Sequence, residues 1–319
     1  MKIVFFGSSE FAVPSLERLF ESSHEVLAVV TQPDREKGRH LKVQATPVKQ
    51  KALEKRLKIF QPENLKSPEI REFLSPLSAD LFVVVAFGQI LPSDILKIPK
   101  LYSINLHASL LPKYRGAAPI NRAIVKGEAK TGLTVIRMNE KMDAGDIMLK
   151  RSVEIETEDT SETLRQRLSQ LGAILLLDAV RFITEDRIKF IKQNERQASF
   201  APPLKKEDGL IDWQKSAHEV NNMVRGLLPW PSAYTFLDNK VLKIWKSATA
   251  SYYDKPEPGK IVDIQKESFS VVCAKDALLV SELQLEGGKR MDAASFMRGH
   301  KLENGIFLGK TPPPPSINP

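Results

Sequence analysis

Cysteine and long apolar runs are the scarcest features of this 319-residue sequence. Its single cysteine, Cys273, excludes an intramolecular disulfide and a cysteine-rich zinc site. No stretch approaches the roughly 20 apolar residues that a membrane-spanning helix needs, and the first residues lack the organisation of a signal peptide. Because disulfides are rare in reducing compartments, the single cysteine suits a cytoplasmic protein. We also expect no bound metal, since the sequence shows no cluster of metal-ligand residues.

The first glycine turn lacks the pattern of a dinucleotide site. Gly7 follows a short apolar run at residues 2–6, and a helix is expected after it, with Ser8 or Ser9 as its N-cap. A dinucleotide fingerprint needs the order G-x-G-x-x-G, and the stretch from Gly7 to Ala12 has only the first glycine. An ordinary strand-to-helix turn is therefore the favoured interpretation.

Short apolar runs alternate with helical patterns over the first half of the chain. This alternation predicts an α/β domain with a Rossmann-like, mostly parallel sheet. The predicted strands are residues 2–6, 26–31, 81–86, 102–106, 133–138 and 146–155. A long amphipathic helix at 160–183 is expected to close the domain.

The second half of the chain has a different composition. Residues 190–207 are polar and contain two adjacent prolines, which is typical of a linker. After a helix at 216–227, short alternating runs separated by turn residues predict a small OB-like β-barrel. The expected organisation is an α/β domain at 1–189, a linker at 190–207, a barrel at 208–310 and a disordered proline-rich tail at 311–319.

The net charge of +8 is concentrated in one segment. Residues 31–60 hold nine basic and three acidic residues, a net charge of +6. Part of this segment, residues 32–46, is a long loop after the second predicted strand, and long loops in compact domains are usually functional or disordered. The basic excess suggests a polyanionic partner.

Asn105 and His107 are the first candidates for chemistry. They stand two residues apart at the end of a predicted strand, so their side chains share one face. In open α/β sheets, ligands bind at the carboxyl ends of the strands. A stretch rich in small and turn-forming residues follows, and we expect it to present backbone groups to a flat polar ligand. A structural histidine with a packing loop is the competing interpretation.

Asp143 is the third candidate. It lies in a turn between two predicted strands, and it either forms part of a polar hairpin turn or reaches His107. A trio of Asn, His and Asp without a recognisable Ser or Cys nucleophile argues against a hydrolase triad. It suits acyl transfer in which the acceptor brings the nucleophile and the protein handles a proton and an oxyanion.

The motifs around these residues resemble those of the folate-dependent formyltransferases. They are Asn105-Leu106-His107, Ser109-Leu110-Leu111-Pro112, Tyr114-Arg115-Gly116-Ala117-Ala118-Pro119-Ile120 and Met142-Asp143-Ala144-Gly145-Asp146. Stretches at 29–35, 84–92 and 225–231 are similar to the members whose acceptor is methionyl-tRNA. The resemblance covers residues 2 to about 310.

The resemblance implies transfer of the formyl group of 10-formyltetrahydrofolate to the α-amine of methionyl-initiator tRNA, for translation initiation. It assigns catalysis to Asn105, His107 and Asp143. It also implies a monomer and folate binding by two loops, whose residues are Phe87, Gly88, Gln89, Ile90, Leu91, Ser109, Leu110, Leu111 and Pro112.

The basic loop resembles the insertion that engages the tRNA acceptor end, with Arg39 at its centre. The expected tRNA contacts are Arg35, Lys37, Arg39 and Lys42 in the loop, and Lys205, Lys206, Lys243 and Lys246 near or in the barrel. For each of the last four, a scattered solubilising lysine is an equal alternative. The three tryptophans, Trp213, Trp230 and Trp245, are expected in the core.

Two other functions stay open at this point. One is a folate-dependent enzyme of the same fold that acts on another acceptor, such as an amino sugar, or hydrolyses the donor. The other is a non-enzymatic RNA-binding protein derived from an enzyme. The basic loop and the complete second domain disfavour the first, and the intact trio disfavours the second.

Overall fold

The computed structural model describes residues 1–37 and 42–309, apart from the side chains of Lys37 and Lys42. The predicted tail at 311–319 lies outside the described residues. The chain forms two compact units: 1–119, 130–154 and 164–202 in the first, and 120–129, 155–163 and 203 onward in the second. The domain boundaries expected from the sequence stay a prediction.

The first unit is built on a seven-stranded sheet with a separate two-stranded hairpin. Its strands are β1 (Lys2–Gly7), β2 (Glu25–Val30), β3 (Arg35–Lys37), β4 (Lys42–Gln44), β5 (Ile59–Phe60), β6 (Leu81–Val85), β7 (Tyr102–His107), β8 (Lys130–Arg137) and β9 (Asp146–Glu154). The order is β5-β2-β1-β6-β7-β8-β9, and β3 with β4 forms the hairpin. The first five strands in this order run parallel, and the pairings of β7 with β8 and of β8 with β9 are antiparallel. This topology confirms the predicted Rossmann-like, mostly parallel α/β sheet.

The second unit holds an antiparallel sheet of six strands. They are β10 (Ala233–Leu237), β11 (Lys240–Ala250), β12 (Ile261–Val262), β13 (Phe269–Val272), β14 (Ala277–Leu285) and β15 (Met291–Asp292). Register shifts in β11 accompany a curled half-barrel, the OB-like architecture expected from the alternating runs. Asp238 and Asn239 both have positive φ, which suits the two-residue hairpin turn between β10 and β11.

Eight α-helices occur in the described residues. They are α1 (Val13–Phe20), α2 (Pro47–Glu54), α3 (Pro68–Leu74), α4 (Ser93–Leu96), α5 (Pro119–Val125), α6 (Ser161–Thr184), α7 (Ala217–Gly226) and α8 (Ala293–Gly299). Thr46 caps α2 by accepting from the Lys49 amide at 3.0 Å, and Ser216 caps α7 in a capping box with Glu219. None of these helices combines the length and the apolar character needed to cross a membrane.

Helices cover both faces of the parallel sheet. Ile70 of α3 and Ile95 of α4 pack on the face that carries Val4, Phe6 and Phe82. On the opposite face, Leu106 of β7 packs against Gly172 of α6. A Cβ on Gly172 would come within 2.8 Å of the Leu106 side chain. This burial on both faces explains why the strands read as continuous apolar runs.

Two local expectations were wrong. Ser9 precedes a three-residue 3-10 helix without a side-chain cap bond, and the Ser8 hydroxyl donates instead to the Phe87 carbonyl at 2.9 Å. The tryptophans also differ from one another, because Trp213 is buried, Trp245 is half-buried and Trp230 is 54% exposed.

Candidate active site

Strand β7 positions the first two candidate side chains. Its residues alternate between the two sheet faces, so Asn105 and His107 share the face opposite to Leu106. His107 is the last residue of the strand and is only 6% exposed, whereas Asn105 is half-buried. Both therefore lie at the carboxyl end of a central strand, where the chain leaves the sheet.

The turn between β8 and β9 (residues 138–145, the Asp143 turn) brings Asp143 to the same place. Its Oδ1 lies 3.5 Å from Asn105 Nδ2, and its Oδ2 lies 3.5 Å from His107 Nδ1. The Gly116 amide donates to Oδ2 at 2.9 Å. The structure thus brings together the three residues singled out in the sequence, while their roles in catalysis stay a prediction.

The imidazole of His107 faces an acceptor on each side. Its Nε2 lies 2.9 Å from the Tyr114 carbonyl oxygen, and a carbonyl oxygen can only accept, so Nε2 carries a hydrogen in this arrangement. The opposite nitrogen, Nδ1, faces the Asp143 carboxylate. A second proton on the ring would therefore lie against this carboxylate and complete an ion pair.

The loop after β7 is fixed by a hydrogen bond within it and by side chains of β8 and β9. The Ser109 hydroxyl donates to the Lys113 carbonyl at 2.6 Å, and the Thr134 hydroxyl donates to the Ser109 carbonyl at 2.7 Å. Lys150 donates to the Leu111 carbonyl, and partial burial lowers the pKa of this ammonium. The loop therefore presents a fixed backbone surface, as a site for a flat polar ligand requires.

The predicted folate residues of this loop point mainly inward. Ser109, Leu111 and Pro112 are buried. Leu110 is half-buried and packs against Gly132, since a Cβ on Gly132 would come within 2.5 Å of the Leu110 side chain. Any ligand contact at these positions would use main-chain groups.

The other predicted folate segment, residues 87–91, is mixed. Phe87 is buried with its ring edge-on to Phe6, at 5.6 Å between centroids, and Leu91 is buried as well. Gln89 is half-buried, Gly88 is exposed with a φ of +87°, and Ile90 is 66% exposed. The exposed residues are the ones available to a ligand.

A cavity of about 590 Å³ lies beside the Asp143 turn. Small-molecule sites commonly measure about 300–1,000 Å³. Its walls come from α4 and the residue after it, from the turn that carries Asp143, and from Glu195. The lining residues are Ser93, Leu96, Lys97, Met138, Asn139, Glu140, Lys141, Ala144 and Glu195. Ala144 belongs to the Met142–Asp146 motif, whereas the other lining residues stand in no motif of catalytic residue types and were not among the candidates from the sequence.

The basic loop is anchored at its base. Asp34 accepts from Lys49 at 2.6 Å and from Gln61 at 2.7 Å, and these bonds lower the pKa of the Asp34 carboxyl. Arg35 is exposed and begins β3, which pairs with β4 so that position 37 stands opposite 42. Lys37 and Lys42 thus lie on the hairpin by their backbones, and Arg39 lies outside the described residues.

The predicted tRNA lysines of the second unit lie at two places. Lys205 and Lys206 are exposed at the start of a 3-10 turn. Lys243 and Lys246 lie on β11, where the Lys243 ammonium is 6.0 Å from the ring centre of Trp245 and Lys246 stands opposite Glu282. Lys246 is exposed and Lys243 is half-buried.

Polar residues between 191 and 201 also reach the site. Gln193 donates to the carbonyl oxygens of the Asp143 turn, and Arg115 is bonded to both Gln193 and Glu195. In the sequence these positions form part of the expected linker. No periodicity or motif marks Gln193, so the sequence held no signal for this contact.

Known proteins share both parts of this architecture. A family model described as formyl transferase matches residues 1–180, and one described as formyl transferase, C-terminal domain, matches residues 203–301. The chain belongs to the formyl transferase family. A methionyl-tRNA formyltransferase of Caldanaerobacter subterraneus subsp. tengcongensis is 46% identical to this formyl transferase over 309 residues, which cover 97% of this chain and 100% of the relative. One of Alkaliphilus oremlandii is 46% identical over 310 residues, with the same coverage.

Solved structures share the fold at lower identity. A sugar 3N-formyl transferase crystallised with dTDP and 5-N-formyl-THF has a TM-score of 0.67 at 21% identity, and covers 91% of this chain and 99% of its own. A methionyl-tRNA formyltransferase from Clostridium thermocellum has a TM-score of 0.55 at 17% identity, and covers 78% of this chain and 93% of its own. At these identities the likeness concerns the fold alone.

Proposed function

We propose that this protein transfers the formyl group of 10-formyltetrahydrofolate to the α-amine of methionyl-initiator tRNA in the cytoplasm. The observation that carries the proposal is the convergence of Asn105, His107 and Asp143 beside a ligand-sized cavity. It is supported by relatives named methionyl-tRNA formyltransferase that match nearly the whole chain at 46% identity.

The chemistry needs an oxyanion stabiliser and a proton path. The acceptor amine attacks the formyl carbon, a tetrahedral oxyanion forms, and the bond from that carbon to N10 of the folate breaks. One proton leaves the amine and one arrives at N10, so the products are the formylated amine and tetrahydrofolate. Asn105 has a second amide hydrogen beyond the one that faces Asp143, and it is suited to the oxyanion. Such a donor is worth about 2.7–4 kcal/mol.

His107 and Asp143 are suited to the proton. The carboxylate lies 3.5 Å from Nδ1 and stabilises the imidazolium. Both ring nitrogens face acceptors, so a proton from the attacking amine reaches Nδ1 through the Asp143 carboxylate, and the same route returns one to the leaving nitrogen. The nearly complete burial of His107 keeps this exchange away from bulk water.

The folate is proposed to occupy the cavity beside the Asp143 turn. Ser93, Leu96 and Lys97 line this cavity and lie shortly after the predicted folate segment 87–91 in the chain, although the lining contains no residue of that segment. Apolar Leu96 and Met138 suit the face of a ring, and the polar groups of residues 139–141 suit its polar edge.

The tRNA is proposed to contact the basic loop and the lysines of the second unit. The net charge of +6 in residues 31–60 and the exposed Arg35 support a phosphate-binding role for the loop. Lys205, Lys206, Lys243 and Lys246 remain proposed contacts, as does Arg39.

One assay separates this proposal from its alternatives. The protein is mixed with 10-formyltetrahydrofolate and either methionyl-initiator tRNA or a dTDP-linked amino sugar, and both formylated products and free formate are measured. Formyl-methionine from the tRNA supports the proposal. Formylation of the sugar alone, release of formate alone, or tRNA binding without any turnover would each favour a competing function.

A further inference from the structure

Gln193 holds the main chain of the Asp143 turn. Its Nε2 donates to the Asp143 carbonyl oxygen at 2.7 Å and to the Gly145 carbonyl oxygen at 2.8 Å. Both hydrogens of one amide group are therefore used on one turn, fifty positions earlier in the chain.

A short antiparallel bridge places Gln193 at this turn. The amide of Ile191 donates to the Ile147 carbonyl at 2.9 Å, and the reverse bond measures 2.8 Å. Two residues before Ile147 stands Gly145, and two residues after Ile191 stands Gln193. The antiparallel register thus carries the Gln193 side chain to the turn.

Arg115 fixes the orientation of the Gln193 amide. Its Nε and one terminal nitrogen donate to Gln193 Oε1 at 3.1 and 2.8 Å, so the oxygen of the amide faces Arg115 and the nitrogen faces the turn. Arg115 is 5% exposed and also makes two bonds of 2.9 and 2.8 Å to the Glu195 carboxylate. The guanidinium is therefore held from two sides.

The Asp143 turn needs such support. Asp143 has a φ of +50°, a left-handed conformation that costs free energy for a residue other than glycine. Its contacts with Asn105 and His107 are both 3.5 Å, longer than the 2.7–3.2 Å of ordinary hydrogen bonds. The short bonds to Asp143 come instead from Gly116 and Gln193.

We propose that Gln193, oriented by Arg115, is a positioning residue that holds Asp143 against His107 for formyl transfer. It acts through the backbone of the turn and touches no reacting atom. The inference rests on the proposed function. Residue 193 lies outside both matched family ranges, 1–180 and 203–301, so neither match assigns it a role.

Gln193→Glu tests this role directly. The variant keeps an oxygen for Arg115 but places a second oxygen against the two carbonyl oxygens of the turn. Since a displacement of about 1 Å can cost about 100-fold in rate, we expect kcat for formyl transfer to fall about 100-fold, with both KM values within a few-fold. Gln197→Glu, at an exposed position four residues away, is the matched control and should keep the wild-type kcat.

Hydrogen exchange supplies a readout that does not depend on activity. Backbone amides of residues 141–146 should exchange faster in Gln193→Glu than in the wild type, while the amides of β6 should not change. Gln193→Met keeps the length of the side chain and removes its polar atoms, so it carries the test if the charged variant does not fold. Thermal unfolding of each variant identifies that case.

The outcomes separate two failures. A wild-type protein that forms no formyl-methionyl-tRNA overturns the proposed function. A wild-type protein that is active, with Gln193 variants whose kcat lies within threefold of it, overturns the positioning role alone. A fall in kcat without faster exchange in residues 141–146 also overturns it, because the effect would then not pass through the turn.

Discussion

Gly145→Ala is the substitution that tests the geometry of the Asp143 turn most severely. A Cβ at this position would stand 1.8 Å from the Arg137 carbonyl oxygen, whereas ordinary contacts begin at 3.4 Å. The next atoms, the Arg137 carbonyl carbon at 2.9 Å and Met138 Cα at 3.4 Å, also belong to the backbone. No side chain can swing away to make room, so the turn itself must shift.

The size of that shift sets the expected effect. Opening a distance of 1.8 Å to 3.4 Å moves the backbone by more than 1 Å, and Asp143 stands two residues away with contacts already 3.5 Å long. We expect kcat to fall by about 100-fold or more. Overpacking should also cost about 1–3 kcal/mol of unfolding free energy, each kcal/mol lowering Tm by about 2–4 °C in a domain of this size.

The assay pairs initial rates of formyl transfer, measured well below Tm, with thermal unfolding. Gly299→Ala is the control, because a Cβ there meets nothing within 4 Å, and it should leave both quantities close to the wild type. A Gly145→Ala protein with the wild-type kcat would refute the reasoning, since it would show that Asp143 need not keep its place.

Three further predictions concern other parts of the chain. His107→Ala should lower kcat by at least about 100-fold and leave the Kd for methionyl-tRNA within a few-fold; a large loss of tRNA binding in a filter assay would contradict a catalytic role. Arg39→Ala should lower kcat/KM for tRNA without weakening folate binding. It should also reduce the slope of log Kd for tRNA against log salt concentration by about one phosphate contact, and an unchanged slope would argue against a phosphate contact at Arg39. Burial raises the pKa of the Cys273 thiol from 9.0 to about 12, so a disulfide reagent at pH 8 should label the unfolded protein and leave the native protein unlabelled. The raised pKa also makes the free energy of unfolding depend on pH. The contribution of the protonated Cys273 thiol is complete below about pH 9 and is lost as the pH rises toward 12, which denaturant titrations across that range should show.

Much of the first unit could be predicted from the sequence because its signals are local. The continuous apolar run at β6 reports a strand buried on both faces, and the spacing of Asn105 and His107 reports a shared face. Asp143 was found because it stands in a turn of distinctive composition. In each case the physical cause lies within a few neighbouring residues.

The remaining features depend on contacts between distant positions. The bond from Gln193 to the Asp143 turn joins residues fifty positions apart, and no local pattern reports it. The same holds for Ser8, whose hydroxyl bonds to Phe87 rather than capping a helix. Helix α5 was not expected because the small residues Gly116, Ala117 and Ala118 precede its first residue, Pro119, and this stretch is typical of a loop. In the folded chain the Ala118 amide donates to the Ala201 carbonyl, again a contact with a distant position.

A single-turnover reaction tests the central proposal most directly. Enzyme in excess is mixed with 10-formyltetrahydrofolate and methionyl-initiator tRNA, and formyl-methionine and tetrahydrofolate are quantified together. We predict that the two products appear at the same rate and in equal amounts, and that both are lost in His107→Ala. Tetrahydrofolate released with free formate, and without formyl-methionine, would contradict the proposed transfer.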